Sequence, residues 1–172
     1  MGEPAVSLPL SLVGKAGELL ELCLQHRVSL ATAESCTGGL VAAALTAIPG
    51  SSRVVERGFV TYSNQAKSSM LGVPEAMIEN HGAVSADVAR AMAEGALIHS
   101  GAAVSLSITG IAGPDGGTPG KPVGTVHIAA AQRGAITLHR ACHFDGDRDA
   151  VREQSAVAAM ELAIERITSF RR

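Results

Sequence analysis

Short apolar runs that each end in a polar or glycine-rich exit constrain this chain most. Residues 28–35, VSLATAES, are small and β-branched, too short for a helix and without polar alternation, which is the pattern of a parallel strand covered on both faces. The next run, CTGGLVAAALTAIPG at 36–50, reads as a helix stopped by Pro49 and Gly50. The theme repeats. VVERGFVTYSN at 54–64 reads as a second strand, followed by short helices over 65–73 and 74–82 and a helix over 85–101 that starts on Ser85 and ends on Gly101. AVSLSITG at 103–110 is a third strand, and 122–134 and 135–144 are a fourth and fifth, joined through QRGA as a hairpin. Helical patterns over 8–26 and 148–170 bracket the series. Strands alternating with helices, plus one late hairpin, predict an α/β fold. The expected form is a three-layer α/β/α sandwich around a mostly parallel mixed sheet of about five strands, with one strand antiparallel.

At 172 residues the chain has the size of one domain, expected to span 1–172. With aromatics at 2%, its core must be built from Ala, Val, Leu and Ile. A net charge of -2 supplies no field for phosphate backbones, and one Tyr with three Phe supplies no stacking platform, so no nucleic-acid partner is expected. No uninterrupted apolar stretch reaches about 18 residues and the N-terminus lacks a basic start, which predicts a soluble, cytoplasmic protein without a membrane partner. Cys23, Cys36 and Cys142 are odd in number and show no CxxC spacing, so they read as reduced thiols, with Cys23 and Cys142 packed in the core.

The polar exits concentrate the chemistry. ESCTGG, TYSNQAK and TGIAGPDGGTPGKP follow the first three strands, and in open α/β sheets ligands bind outside the carboxyl ends of the strands. In the first exit, a Ser at a strand-to-helix junction sits on a fixed backbone beside helix amides that lack partners and can hold an oxyanion. Ser35 or Thr37 can equally serve as a plain helix cap. Gly38 and Gly39 allow close approach of a ligand to the backbone.

A nucleophilic Ser needs a base. Of the six histidines only His81 falls in a loop. Tyr62 and Lys67 offer another route: a lysine desolvated beside apolar walls loses proton affinity and can act as a general base, with Tyr62 relaying the proton or orienting the hydroxyl. In the third exit, Asp115 stands where a phosphate loop needs its first Gly, and Lys121 is followed by Pro122 and a strand, so nucleoside triphosphate hydrolysis by that device is excluded. The glycine-rich loop can still cradle an anion. Asp145, Asp147 and Asp149 lack the later Gly and Glu of a calcium loop and read as capping acids for the last helix, while Arg148 can point into the site as a phosphate ligand.

Together, ATAESCTGGLVAAALTAIPGSS, ERGFVTYSNQAK, HGAVS, SITGIAGPDGGTPGKPVGTV and GDRDAVR resemble the CinA C-terminal-domain family over about Leu12 to the C-terminus. The resemblance implies hydrolysis of the carboxamide of nicotinamide mononucleotide to nicotinic acid mononucleotide and ammonia, by a Ser/Lys mechanism with no metal or cofactor. It implies Ser35 as nucleophile, with Tyr62 and Lys67 as its catalytic partners. It points to the amides of Thr37, Gly38 and Gly39 for the oxyanion, and to Thr109, Gly110 and Gly113 for phosphate and ribose. Ser52, Asn64 and Arg148 are further candidate substrate contacts. Relatives in this family carry an additional N-terminal domain for which this chain has no room, so a standalone deamidase is expected, as a symmetric homo-oligomer. The competing readings are a non-catalytic pyridine-nucleotide sensor using the same pocket, and a cysteine amidase using Cys36.

Overall fold

In a computed structural model that describes residues 7–170, a five-stranded sheet stands between two helical layers. The lead before Ser7 and the final Arg171 and Arg172 lie outside the described residues. In chain order the elements are α1 (Leu10–His26), β1 (Leu30–Glu34), α2 (Leu40–Thr46), β2 (Val55–Val60), α3 (Asn64–Leu71), α4 (Glu75–His81), α5 (Ala86–Ile98), β3 (Val104–Gly110), β4 (Thr125–Gln132), β5 (Leu138–His143) and α6 (Arg148–Ser169). A single 3-10 turn, Ser51–Arg53, precedes β2.

The sheet order is β2-β1-β3-β4-β5. β1 pairs in parallel with both β2 and β3, whereas β4 runs antiparallel to β3 and to β5. Four strands therefore share one direction and β4 opposes them, as the single late hairpin predicts. β1 and β3 are buried along almost their whole length, which explains why neither alternates in polarity. Edge strand β2 carries exposed Glu56 and Arg57, charges that discourage pairing with another chain.

Two apolar clusters fill the space on either side. On one face Leu30, Leu106, Ile108, Val126 and Ile128 pack under α1, α2 and α6; on the other, Ala31, Ala33, Ala129 and Ala131 pack under α5. The alanines let α5 lie close to the sheet. Against α3 the packing of α5 is closer still at Gly95, where a Cβ would sit 2.0 Å from the Leu71 carbonyl oxygen.

Candidate active site

The first exit is shaped by one residue of the strand itself. Glu34, the last residue of β1, is fully buried, and its carboxylate accepts hydrogen bonds from Thr37 Oγ1 (2.7 Å), the Val41 amide (2.9 Å) and the Ala42 amide (3.1 Å). Helix α2 therefore starts at Leu40 and not at Cys36, because residues 35–39 form a turn around this carboxylate. Gly38 and Gly39 take φ values of +60° and +100° in that turn, a backbone region that glycine alone enters without steric cost. The expectation that the first helical amides are free for an oxyanion is corrected: two of them are already bonded to Glu34. The Gly38 amide is engaged as well, donating to the Ser35 carbonyl at 3.0 Å. The amides of Cys36, Thr37 and Gly39 donate to no protein oxygen among the described residues.

Ser35 leaves the turn on the side of α3. Ser63 caps that helix by accepting from the Ala66 amide (3.0 Å), and the first turn then aims Lys67 inward. Lys67 Nζ lies 3.0 Å from Ser35 Oγ and 3.2 Å from the Thr61 carbonyl oxygen. Ser35 is 7% exposed and Lys67 2%, so bulk water does not solvate the pair. Burial lowers the proton affinity of Lys67, and among the described residues no carboxylate forms a salt bridge with it to restore the charge. Once deprotonated, such an amine against a serine hydroxyl is the arrangement of a general base and its nucleophile.

A cleft of about 250 Å³ opens beside the pair, walled by Ser35, Cys36, Tyr62, the glycine loop from Gly110 to Gly113, and Arg148. Arg148 spans its mouth, donating through Nη1 to the Gly113 carbonyl (2.7 Å) and through Nη2 to Tyr62 Oη (2.9 Å). Tyr62 is 61% exposed and its hydroxyl serves Arg148, so the base meets the nucleophile directly and the tyrosine relay is not formed.

Several other expected contacts stand away from the cleft. Thr37 is buried with its hydroxyl committed to Glu34, and neither it nor Gly38 or Gly39 lines the cleft. Thr109 is buried and donates to the Ala83 carbonyl (2.8 Å), tying β3 to the loop before α5. Asn64 lines a separate groove with Gln65 and Glu79. Ser52 is at the opposite end of the sheet: Leu30 is level with Val55, so residues just before β2 stand at the amino ends of the strands, and Ser35 is at the carboxyl end. A parallel crossover has to return the chain to the starting edge before the next strand begins, which removes Ser52 from the site. His81, at the end of α4, is exposed and lies 3.5 Å from Asp87, outside the cleft.

Cys36 does line the cleft, yet burial pushes its thiol up to about 11, so the thiolate needed for attack is scarce at neutral pH. Sequence reasoning missed Glu34 and Arg152. A charge at the end of an otherwise uncharged buried strand was the available signal for the first. For the second it was the four-residue spacing from Arg148, which places both on one face of α6; Arg152 Nη2 donates to the Thr37 carbonyl at 3.0 Å.

Comparisons with known proteins agree with the fold. The profile of the family described as CinA C-terminal domain matches residues 14–167. A CinA-like protein of Citrifermentans bemidjiense is 55% identical over 140 residues, covering 81% of this chain and 34% of the relative. A CinA-like protein of Geobacter sp. (strain M21) is 58% identical over 131 residues, covering 76% and 31%. The chain thus spans about a third of the length of the curated relatives it matches. The crystal structure of the competence/damage inducible protein CihA from Agrobacterium tumefaciens superimposes with a TM-score of 0.91 at 43% identity, covering 95% of this chain and 100% of that one.

Proposed function

The chain belongs to the CinA C-terminal domain family, and on that footing we propose that it is an amidohydrolase that converts nicotinamide mononucleotide to nicotinic acid mononucleotide and ammonia. The observation that carries the reading is the buried contact of 3.0 Å between Lys67 Nζ and Ser35 Oγ, with a lysine whose proton affinity burial has lowered.

The steps follow from that pair. In its neutral form Lys67 takes the Ser35 proton as Oγ bonds to the carboxamide carbon, and the negative charge on the carbonyl oxygen falls to the unspent amide of Cys36, the turn residue that lines the cleft beside Ser35. The C–N bond breaks as Lys67 returns the proton to the departing nitrogen, which leaves as ammonia. Lys67 then draws a proton from water, the hydroxide attacks the ester carbon, and Ser35 recovers its proton as the acid leaves. The glycine loop and Arg148 line the same cleft as Ser35 and receive the ribose and phosphate, because a guanidinium pairs well with phosphate oxygens.

Purified protein incubated with nicotinamide mononucleotide is expected to release ammonia and nicotinic acid mononucleotide in equal amounts, read by a coupled ammonia assay and mass spectrometry. Binding of the nucleotide without any ammonia would replace this reading with the sensor.

A further inference from the structure

Glu34 occupies an unusual place: a carboxylate with no exposed surface, one residue before the proposed nucleophile, held by three neutral donors and by no cation among the described residues. A buried carboxylate is costly unless its lone pairs are satisfied, so its retention at this position calls for an account. A helix cap of ordinary kind would need only a Ser or Asp next to α2, not a strand residue reaching amides seven and eight positions ahead.

The backbone of Glu34 adds a second tie. Its carbonyl accepts the Thr61 amide at 2.8 Å, the Thr61 carbonyl lies 3.2 Å from Lys67 Nζ, and Nζ reaches Ser35 Oγ at 3.0 Å. Glu34, Thr61, Lys67 and Ser35 thus close a ring in which one residue fixes the register of both the base and the nucleophile. On the far side, the Ser35 amide donates to the Ile108 carbonyl (3.0 Å), so the turn is pinned to β3 as well. The remaining freedom of the Ser35 turn is rotation about the glycines. The Glu34 side chain removes it by gripping the Thr37 hydroxyl and the start of α2.

We propose that Glu34 is a positioning residue: its carboxylate, bonded to Thr37, Val41 and Ala42, sets the Ser35 turn so that Oγ meets Lys67 while the unspent Cys36 amide faces the oxyanion. The proposal rests on the amidohydrolase reading for its substrate but not for its geometry. In Glu34→Gln the side chain keeps its size, but one acceptor oxygen becomes an amino group facing a backbone N–H. The turn rotates away from that repulsion, and displacing a reacting atom by about 1 Å is expected to lower kcat about 100-fold. KM stays near the wild-type value, because the cleft walls contributed by Tyr62, Gly113 and Arg148 are untouched.

The test has two arms. In the first, kcat, KM and the pH profile are measured with nicotinamide mononucleotide; a fallen plateau with an unmoved KM and an unmoved inflection is the expected result. Because a loss of folded protein alone would also lower the apparent kcat at constant KM, kcat is expressed per folded enzyme, with the folded fraction read by circular dichroism. In the second, the rate at which a fluorophosphonate labels Ser35 is followed by mass spectrometry, which needs no knowledge of the substrate. Labelling of Glu34→Gln is expected to slow by a similar factor. Wild-type protein that labels but releases no ammonia would overturn the substrate assignment and leave the labelling comparison in force. If Glu34→Gln does not fold, Thr37→Val, which deletes one of the three donors, carries the test, with an expected fall of about 10-fold in labelling rate. Wild-type labelling in a folded Glu34→Gln, or in Thr37→Val where the first does not fold, would overturn the proposal.

Discussion

Lys67 Nζ stands 3.0 Å from Ser35 Oγ although 32 residues separate them in the chain, and the lysine is 2% exposed. The contact exists because β1 and β2 run side by side in parallel, so that their exits, and the first turn of α3, arrive at one end of the sheet together.

Ser35→Ala is expected to lower kcat by about 10⁴-fold or more, since removing the nucleophile leaves only binding and oxyanion stabilisation. Cys36→Ala is expected to keep turnover. With its thiol pushed up to about 11 by burial, Cys36 exposes about one part in ten thousand as thiolate at pH 7, and alkylation by iodoacetamide should be correspondingly slow. An inactive Cys36→Ala with an active Ser35→Ala would reverse the assignment.

Lys67→Met is expected to lower kcat by about 10²- to 10⁴-fold, the usual contribution of a positioned base. In the wild type, burial lowers the lysine below its ordinary value of 10.5, so turnover should rise with pH through that lowered value as the amine loses its proton. Stability follows the same sign. Between the lowered folded value and 10.5 the unfolded chain binds the extra proton, so folding strengthens as pH rises across that window. Lys67→Met carries no such proton, and its melting temperature, measured by scanning calorimetry across pH, should lack that rise.

Arg148→Ala is expected to raise KM for nicotinamide mononucleotide about 10- to 100-fold, the range of one charge-assisted hydrogen bond, with a smaller change in kcat. The nucleoside without phosphate should show no comparable change. Tyr62→Phe removes the hydroxyl that Arg148 holds at 2.9 Å, so its effect should fall on KM more than on kcat. A collapse of kcat in Tyr62→Phe, with KM intact, would restore the tyrosine to the proton path.

Gly95→Ala tests the packing of α5. The added methyl would lie 2.0 Å from the Leu71 carbonyl oxygen, and since the atom met is backbone it cannot be relieved by a side-chain turn. Overpacking of this kind costs about 1–3 kcal/mol. Thermal unfolding should show a fall of several degrees.

Much of the fold could be read locally because its central strands are short, uncharged but for Glu34, and covered on both faces, and Ser85 and Ser63 cap helices where they stand. Ser35 and Lys67 were legible for a related reason: both lie at strand exits, where topology gathers ligand sites. Glu34 was not, because its burial depends on amides that return to it only after the turn has formed. Ser52 misled because nearness in sequence to the first motif says nothing about which end of a parallel sheet a crossover reaches. Tyr62 was placed at the right cleft with the wrong partner, since Arg148, 86 residues further along, claims its hydroxyl.

The chain order of the cleft walls has a consequence for how such a protein diversifies. The groups that would break a bond, together with the residue that aligns them, come from residues 34–67, while the glycine loop and the arginines of α6 enter from residue 110 onward. On the proposed function, chemistry and most of the recognition are thus written in separate stretches of the gene, tied together by the Arg148–Tyr62 and Arg152–Thr37 hydrogen bonds. Exchange of the later stretch between relatives can change what is cut and leave intact the machinery that cuts it.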